Sequence, residues 1–220
     1  MDTIIQILAR ELGRSEAHVE NVVRLIDEGN TIPFIARYRK ELHGAMDDTA
    51  LRTLADRLQY LRNLDKRREE VKSAIEGQGK LTEELSAAID AAATLAEVED
   101  LYRPYKQKRR TRATVAREKG LEPLAELLFA QAADGPAPEE AARAFIDPEK
   151  GVATAEDALQ GASDIIAERI SDDADIRKRL RELVWKKGYL VSAAAAKEPE
   201  DTVYRLYYAF RSPLNRVQGH

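Results

Sequence analysis

Residues 48–76 of the chain read DTALRTLADRLQYLRNLDKRREEVKSAIE. Apolar side chains recur along this stretch at the three- and four-residue spacing of one helix face; they are Leu51, Leu54, Leu58, Leu61, Leu64, Val71 and Ile75. Gly77-Gln-Gly79 follows and ends the pattern. At 1.5 Å per residue the helix would run on the order of 40 Å, about the length of a whole domain. The sequence therefore predicts one long central helix.

The sequence on both sides of this stretch shows the same helical periodicity, so the predicted fold class is all-α. We expect an irregular multi-helix scaffold with one long central helix and a helix-turn-helix-like module. Three helices are predicted before the long one, in residues 4–12, 15–29 and 33–42. Seven are predicted after it: one begins at Thr82, one begins at Thr94 and ends before Pro104, and five cover residues 121–133, 139–146, 154–171, 173–187 and 199–210. Gly188 to Ser192 is predicted to be a short extended piece. The expected divisions are an N-terminal helical region (1–120), a helix-turn-helix-like module (121–196) and a C-terminal helix (197–220).

Composition narrows the class of protein. Charged residues make up 34% of the chain and aromatic residues only 6%, and this mixture favours helices. The absence of cysteine excludes disulfides and thiolate metal sites. No signal peptide is visible, and no apolar run approaches the roughly 20 residues that span a bilayer. We therefore expect a cytoplasmic protein with no membrane partner.

The strongest chemical signal is the basic run, which we define as residues Arg103–Arg112. It holds six cations and no acid, and two tyrosines lie within it or beside it. Positive charge next to flat rings suits a phosphate backbone and stackable bases. The candidate nucleic-acid-binding residues are Tyr102, Arg103, Tyr105, Lys106, Lys108, Arg109, Arg110 and Arg112.

Two alternative roles for the basic run stay open. Residues 131–176 contain twelve acids and three bases, so this acidic segment could pair with the basic run inside the molecule. The run could also be a solvated loop between helices. If it neutralises four to six phosphates, the logarithm of affinity should fall with the logarithm of salt concentration with a slope of roughly −3 to −5.

Two trios of helices have the arrangement of a helix-turn-helix module. Residues 3–42 form the first trio, and its third helix shows Arg37, Arg39 and Lys40. Residues 138–187 form the second, and its last helix is also basic. A reading helix must enter a groove lined by phosphates. The acidic first two helices of the second trio make that approach unfavourable.

The sequence offers no catalytic, metal or cofactor site. Its three histidines, His18, His43 and His220, are far apart and show no metal-ligand spacing. No Gly-rich phosphate loop or nucleophile elbow is present. We therefore predict no catalytic residue, no metal and no cofactor, and a protein that is not an enzyme.

Three segments resemble the Tex family of bacterial transcription accessory proteins. They are Thr31-Ile-Pro-Phe-Ile-Ala-Arg-Tyr-Arg-Lys-Glu41, Asp100-Leu-Tyr-Arg-Pro-Tyr-Lys-Gln-Lys-Arg-Arg-Thr-Arg112 and Ala116-Arg-Glu-Lys-Gly-Leu-Glu-Pro-Leu124. The resemblance implies a long helical scaffold, a helix-turn-helix-like module, a nuclease-like fold that usually lacks an intact active site, helix-hairpin-helix motifs and a C-terminal OB-fold RNA-binding domain. It also implies nucleic-acid binding and a role in transcription.

The resemblance covers only the N-terminal helical region of that series of domains. The chain stops at Asn215–His220, about where the nuclease-like domain would begin, and the resemblance assigns the main nucleic-acid contact to the C-terminal domain. We therefore expect a non-enzymatic scaffold with an auxiliary RNA or DNA contact. The alternative is a platform for RNA polymerase or other transcription proteins that makes no nucleic-acid contact.

Overall fold

The computed structural model describes residues 3–107, 109–133, 135–195 and 202–217. The chain divides into two compact units, residues 1–98 and 99–220. The predicted all-α class is confirmed, because helices dominate and the described residues add only one two-stranded sheet. The predicted divisions after residues 120 and 196 stay predictions.

The first unit is built around the predicted long helix, which is confirmed. Its helices are α1 (Ile4–Leu12), α2 (Glu16–Asp27), α3 (Ile32–Tyr38), α4 (Asp48–Glu76) and α5 (Glu83–Ala91), and α6 (Leu95–Tyr102) begins in this unit. The side chain of Asp47 caps α4 by accepting a hydrogen bond from the Ala50 amide at 2.7 Å.

All seven apolar residues of the α4 seam are buried, and its first half packs against α1, α2 and α3 in one core. Bidentate ion pairs add to this packing. Arg57 of α4 donates to Glu11 of α1, with both distances 2.7 Å. Arg62 donates to Asp27 of α2 at 2.7 and 2.8 Å. The helical periodicity of residues 48–76 therefore sets the framework of this unit.

The second unit combines short helices with one hairpin. Its elements are α7 (Arg112–Glu118), α8 (Glu122–Ala130), α9 (Pro138–Arg143), α10 (Ala155–Asp172), α11 (Ala174–Lys187), β1 (Tyr189–Ala193) and β2 (Ala209–Pro213). The two strands are antiparallel, with Tyr189 opposite Pro213 and Ala193 opposite Ala209. Short 3-10 turns occupy residues 103–105, 148–150, 205–207 and 214–216.

Small side chains make up much of the core of the second unit. The buried residues that α7, α8, α9 and α10 contribute include seven alanines. Gly161 of α10 shows how close the helices lie, because a Cβ there would come within 2.3 Å of the Leu121 side chain. This packing brings α10 against α7, and so against the end of the basic run.

The predicted C-terminal helix is wrong for the described part of residues 197–220. Residues 205–207 form a 3-10 turn and residues 209–213 form β2. Phe210 lies in β2, and aromatic residues favour strands when a partner strand is present. The extended piece predicted at residues 188–192 is confirmed as β1 and supplies that partner.

Candidate nucleic-acid interface

The basic run is a bend between two helices. Helix α6 ends at Tyr102, and Pro104 lies in the 3-10 turn that follows. Helix α7 then starts at Arg112, inside the run, where the sequence pattern predicts no helix. The available signal was Thr111, whose hydroxyl caps α7 by accepting from the Thr114 amide at 3.1 Å.

Three of the predicted cations lie in ion pairs within the molecule. Arg103 Nε is 3.0 Å from Asp172 Oδ1, and Asp172 belongs to the acidic segment. Arg110 lies 2.6 Å from a Glu118 carboxylate oxygen. Lys106 donates to Glu99, and its ammonium group lies 5.3 Å from the centre of the Tyr102 ring.

Two other predicted cations are exposed and form no ion pair with the acids of the described ranges. They are Arg109, in the bend, and Arg112, the first residue of α7. The helix dipole disfavours a cation at a helix start, so the stability of α7 does not account for Arg112. Tyr102 and Tyr105 are half-buried. The predicted Lys108 lies outside the described residues.

Arg117 joins α7 to the acidic helix α10. It donates to Glu168 at 2.7 Å and to Glu122 at 3.3 Å. The hydrogen bond to Glu168 is the main reason that the pKa of Arg117 is raised. Glu168 also accepts a hydrogen bond from the Thr111 hydroxyl at 3.0 Å. These contacts fix the bend of the basic run to the surface of α10.

Asp100, beside the basic run, anchors α11. It is 4% exposed, and it accepts hydrogen bonds from Arg177 at 2.5 Å and from Arg181. Burial opposes its ionisation, but the hydrogen bonds and charges of the two guanidinium groups outweigh burial and lower the pKa of Asp100. Because Arg177 and Arg181 are one helical turn apart, a single carboxylate holds both.

An open groove of about 390 Å³ lies between α7 and α10. Arg110, Arg112 and Lys119 contribute positive charge to its lining, whereas Asp157 and Asp164 of α10 contribute negative charge. Mixed charge does not suit a polyanion lying along the groove. Arg109 and Arg112 suit an external phosphate for a different reason, because both are exposed and form no ion pair with the acids of the described ranges.

The described histidines do not form a metal site. Within the described ranges, no three His, Cys, Asp or Glu residues lie close enough to hold a metal ion. His43 is 1% exposed, and neither of its ring nitrogens has a hydrogen-bond partner among the described residues. The His18 ring packs against Gly44, whose φ of 61° suits glycine.

Comparison with known proteins identifies the family. Residues 2–76 match the model of the Tex-like protein N-terminal domain, and residues 134–220 match the Tex central region-like model. The chain belongs to the Tex family. This Tex chain is 48% identical to Bacillus subtilis protein YdcI over 217 residues, which are 98% of the chain and 30% of that protein.

Two further relatives carry informative names. The transcriptional accessory protein Tex of Neisseria gonorrhoeae is 41% identical over 218 residues, which are 99% of this chain and 28% of that protein. The human S1 RNA-binding domain-containing protein 1 is 30% identical over 226 residues, which are 99% of this chain and 22% of that protein. The chain thus spans less than a third of the length of these relatives.

Among the residues that the structure describes, every helix is too short or too polar to cross a lipid bilayer.

Proposed function

We propose that this chain is a non-catalytic helical scaffold of a Tex-like transcription accessory protein, and that its basic run makes an auxiliary contact to nucleic acid in the cytoplasm. The observation that carries the proposal is the state of Arg109 and Arg112. Both are exposed and neither has an acidic partner among the described residues. The names of two relatives, a transcriptional accessory protein and an S1 RNA-binding domain protein, also support a role in transcription and a contact to nucleic acid.

The internal ion pairs limit the strength of this contact. Arg103, Lys106 and Arg110 already have carboxylate partners. A phosphate would have to displace those carboxylates, whereas Arg109 and Arg112 can meet a phosphate directly. We therefore expect about two phosphate contacts from the described part of the run, and a salt slope less steep than six cations would give.

The second candidate function is a platform for RNA polymerase or another transcription protein. The pair between Arg103 and Asp172 favours it, because this pair uses a cation of the run to hold the acidic segment. The rest of that segment is a surface for a basic partner. That the helix trios of residues 3–42 and 138–187 bind duplex DNA as helix-turn-helix modules stays a hypothesis. In the second trio, Arg177 and Arg181 already form ion pairs with Asp100.

Fluorescence anisotropy with labelled single-stranded RNA and duplex DNA tests the first candidate. Salt should be varied from roughly 50 to 300 mM, because phosphate contacts appear as the slope of affinity against salt. Arg109→Ala with Arg112→Ala should weaken binding several-fold and reduce the slope by about 2.

A matched control is Arg52→Ala with Lys66→Ala, which removes the same charge from exposed positions on α4. This control should leave both affinity and slope close to those of the parent chain. If the two double variants behave alike, the basic run makes no specific contact and the platform function is preferred. Metal-dependent cleavage of the RNA by pure protein would contradict the non-catalytic assignment.

A further inference from the structure

A second basic surface lies in the C-terminal part of the second unit. We call it the α11–hairpin face and define it as residues 177–195 and 202–217. Helix α11 leads into β1 through Gly188, whose carbonyl accepts from the Leu214 amide at 3.0 Å. A Cβ at Gly188 would lie 2.8 Å from the Leu214 side chain. These close contacts hold the C-terminal end of α11 against the end of β2.

Positive charge dominates this face. It contains nine Lys or Arg residues and one acid, Glu182. Residues 196–201 add one lysine and three acids, which leaves residues 177–217 with a net charge of +6. Arg177 and Arg181 are held by Asp100. The remaining cations of α11 include three that are exposed and form no ion pair with any acid of the described residues: Arg179, Lys186 and Lys187.

The residues of the same face include exposed aromatic rings. Trp185 is 59% exposed and Tyr204 is 66% exposed, and about half of the surface of Tyr189 and Tyr207 is exposed. The Arg211 guanidinium carbon lies 4.1 Å from the centre of the Tyr189 ring, so charge and ring are already combined there. Large rings this exposed mark a surface that meets a partner.

The charges decide which partner fits. Protein–protein interfaces are depleted of lysine, particularly at their centre, whereas the exposed residues of α11 include Lys186 and Lys187. A duplex hides the faces of its bases, so it could use the cations and not the rings. A single strand offers both unpaired bases and phosphates. The half-exposed Leu180, Leu183 and Val184 add apolar surface against which bases and sugars can pack.

We propose that the α11–hairpin face binds single-stranded nucleic acid. Trp185 and Tyr204 stack on bases, and cations of the face contact the phosphates; these are Arg179, Lys186, Lys187 and Arg211. This site uses none of the residues of the basic run, so it goes beyond the function proposed above.

The intact 220-residue chain carries its own reporter for this site, because Trp185 is its only tryptophan. The probes are labelled oligouridine and oligothymidine of about 12 nucleotides, a length within the range that one single-strand site covers. Trp185 emission should be quenched as oligonucleotide is added, and the quenching gives the Kd of this face, whereas anisotropy reports binding anywhere on the chain. Arg109→Ala with Arg112→Ala should leave the maximal quenching unchanged, even where it lowers affinity.

Variants on the face distinguish the contribution of the rings to binding from the contribution of the charges. Trp185→Ala and Tyr204→Ala should each weaken binding about 5-fold or more, as expected for the loss of a stacked base. Lys186→Ala with Lys187→Ala should weaken binding and reduce the salt slope by more than 1. Arg52→Ala with Lys66→Ala on α4 is the control with the same loss of charge. Circular dichroism checks that each variant keeps the helical content of the parent.

Several results would overturn the proposal. One is a rise in anisotropy with no change in Trp185 emission, which would locate the strand elsewhere. Another is parent-like affinity in Tyr204→Ala and in the Lys186/Lys187 double variant. A third is a dimer in sedimentation velocity whose Trp185 emission is shifted to the blue and does not respond to oligonucleotide. That dimer would mean that a second copy of the chain covers the face.

Discussion

The basic run and the α11–hairpin face carry similar charge but use it differently. In the basic run, Arg103, Lys106 and Arg110 each have a carboxylate partner, and the two tyrosines are half-buried. On the face, two arginines are held by the buried Asp100, which lies outside it, while other cations and four rings are exposed. Charge density in a sequence therefore does not measure the charge that a partner meets.

The two surfaces share a structural link. Asp100 comes just before the basic run in the chain and fixes the first turns of α11. The opening residue of the stretch Asp100–Arg112 thus acts as a positioning residue for the other surface. Removing individual charges can test whether the two surfaces work separately.

The largest effect is expected for Asp100→Asn. The change leaves Arg177 and Arg181 beside a neutral amide at a 4% exposed position. Removing one partner of a buried ion pair is strongly destabilising, but the arginines here are partly exposed and can regain water. We therefore expect the free energy of unfolding to fall by about 2 kcal/mol. Urea denaturation followed by Trp185 fluorescence measures it.

Asp48→Asn is the control for this prediction. It breaks the exposed pair with Arg52 on α4, and its effect should be at most about 0.5 kcal/mol. If the two variants lose the same stability, Asp100 does not anchor α11.

The next effect concerns acid stability. Because the folded state lowers the pKa of Asp100, its contribution is fully present above the unfolded-state pKa, about 3.9, and is lost as pH falls through the folded value. Denaturation by urea at a series of pH values from about 6 down to 3 should show this loss in the parent chain. Asp100→Asn should show a flatter dependence on pH. An unchanged dependence in the variant would assign the acid sensitivity to other carboxyls.

The smallest effect is expected for Asp172→Asn. This change removes the carboxylate that faces Arg103, so Arg103 becomes available to an external phosphate. Affinity for single-stranded RNA should rise about 2-fold, and the salt slope should become steeper by up to about 1. Anisotropy at several salt concentrations measures both. Asp164→Asn, also on α10, is a control for the general loss of one acid. Equal gains from both variants would show that only net charge matters.

The sequence predicts the helices of this chain far better than it predicts the partners of its charges. The seam of α4, from Leu51 to Ile75, is a local pattern, and all of its residues are buried as expected. Arg103 and Asp172 are 69 residues apart, and Asp100 and Arg177 are 77 apart. Such pairs depend on how α6, α10 and α11 pack, which no local pattern contains.

The hairpin shows a second limit of local patterns. Phe210 and the tyrosines before it have spacings that suit a helix, but residues 209–213 pair with β1, which lies about 20 residues earlier. The sequence also does not predict that Trp185 and Tyr204 are exposed, because aromatic residues are more often part of a core. The local pattern gave no information about which rings face solvent.

The alanine-rich core of the second unit has a consequence for how this protein can evolve. Single-base changes of an alanine codon give Ser, Thr, Pro, Val, Asp, Glu or Gly. At Ala142, Ala158 or Ala162, which are fully buried, most of these are too large, charged or unable to continue a helix. We therefore expect substitutions to accumulate more slowly here than along the leucine seam of α4, where one aliphatic residue can replace another. A deep mutational scan should show that the buried alanines of the second unit tolerate fewer substitutions than the leucines of the α4 seam.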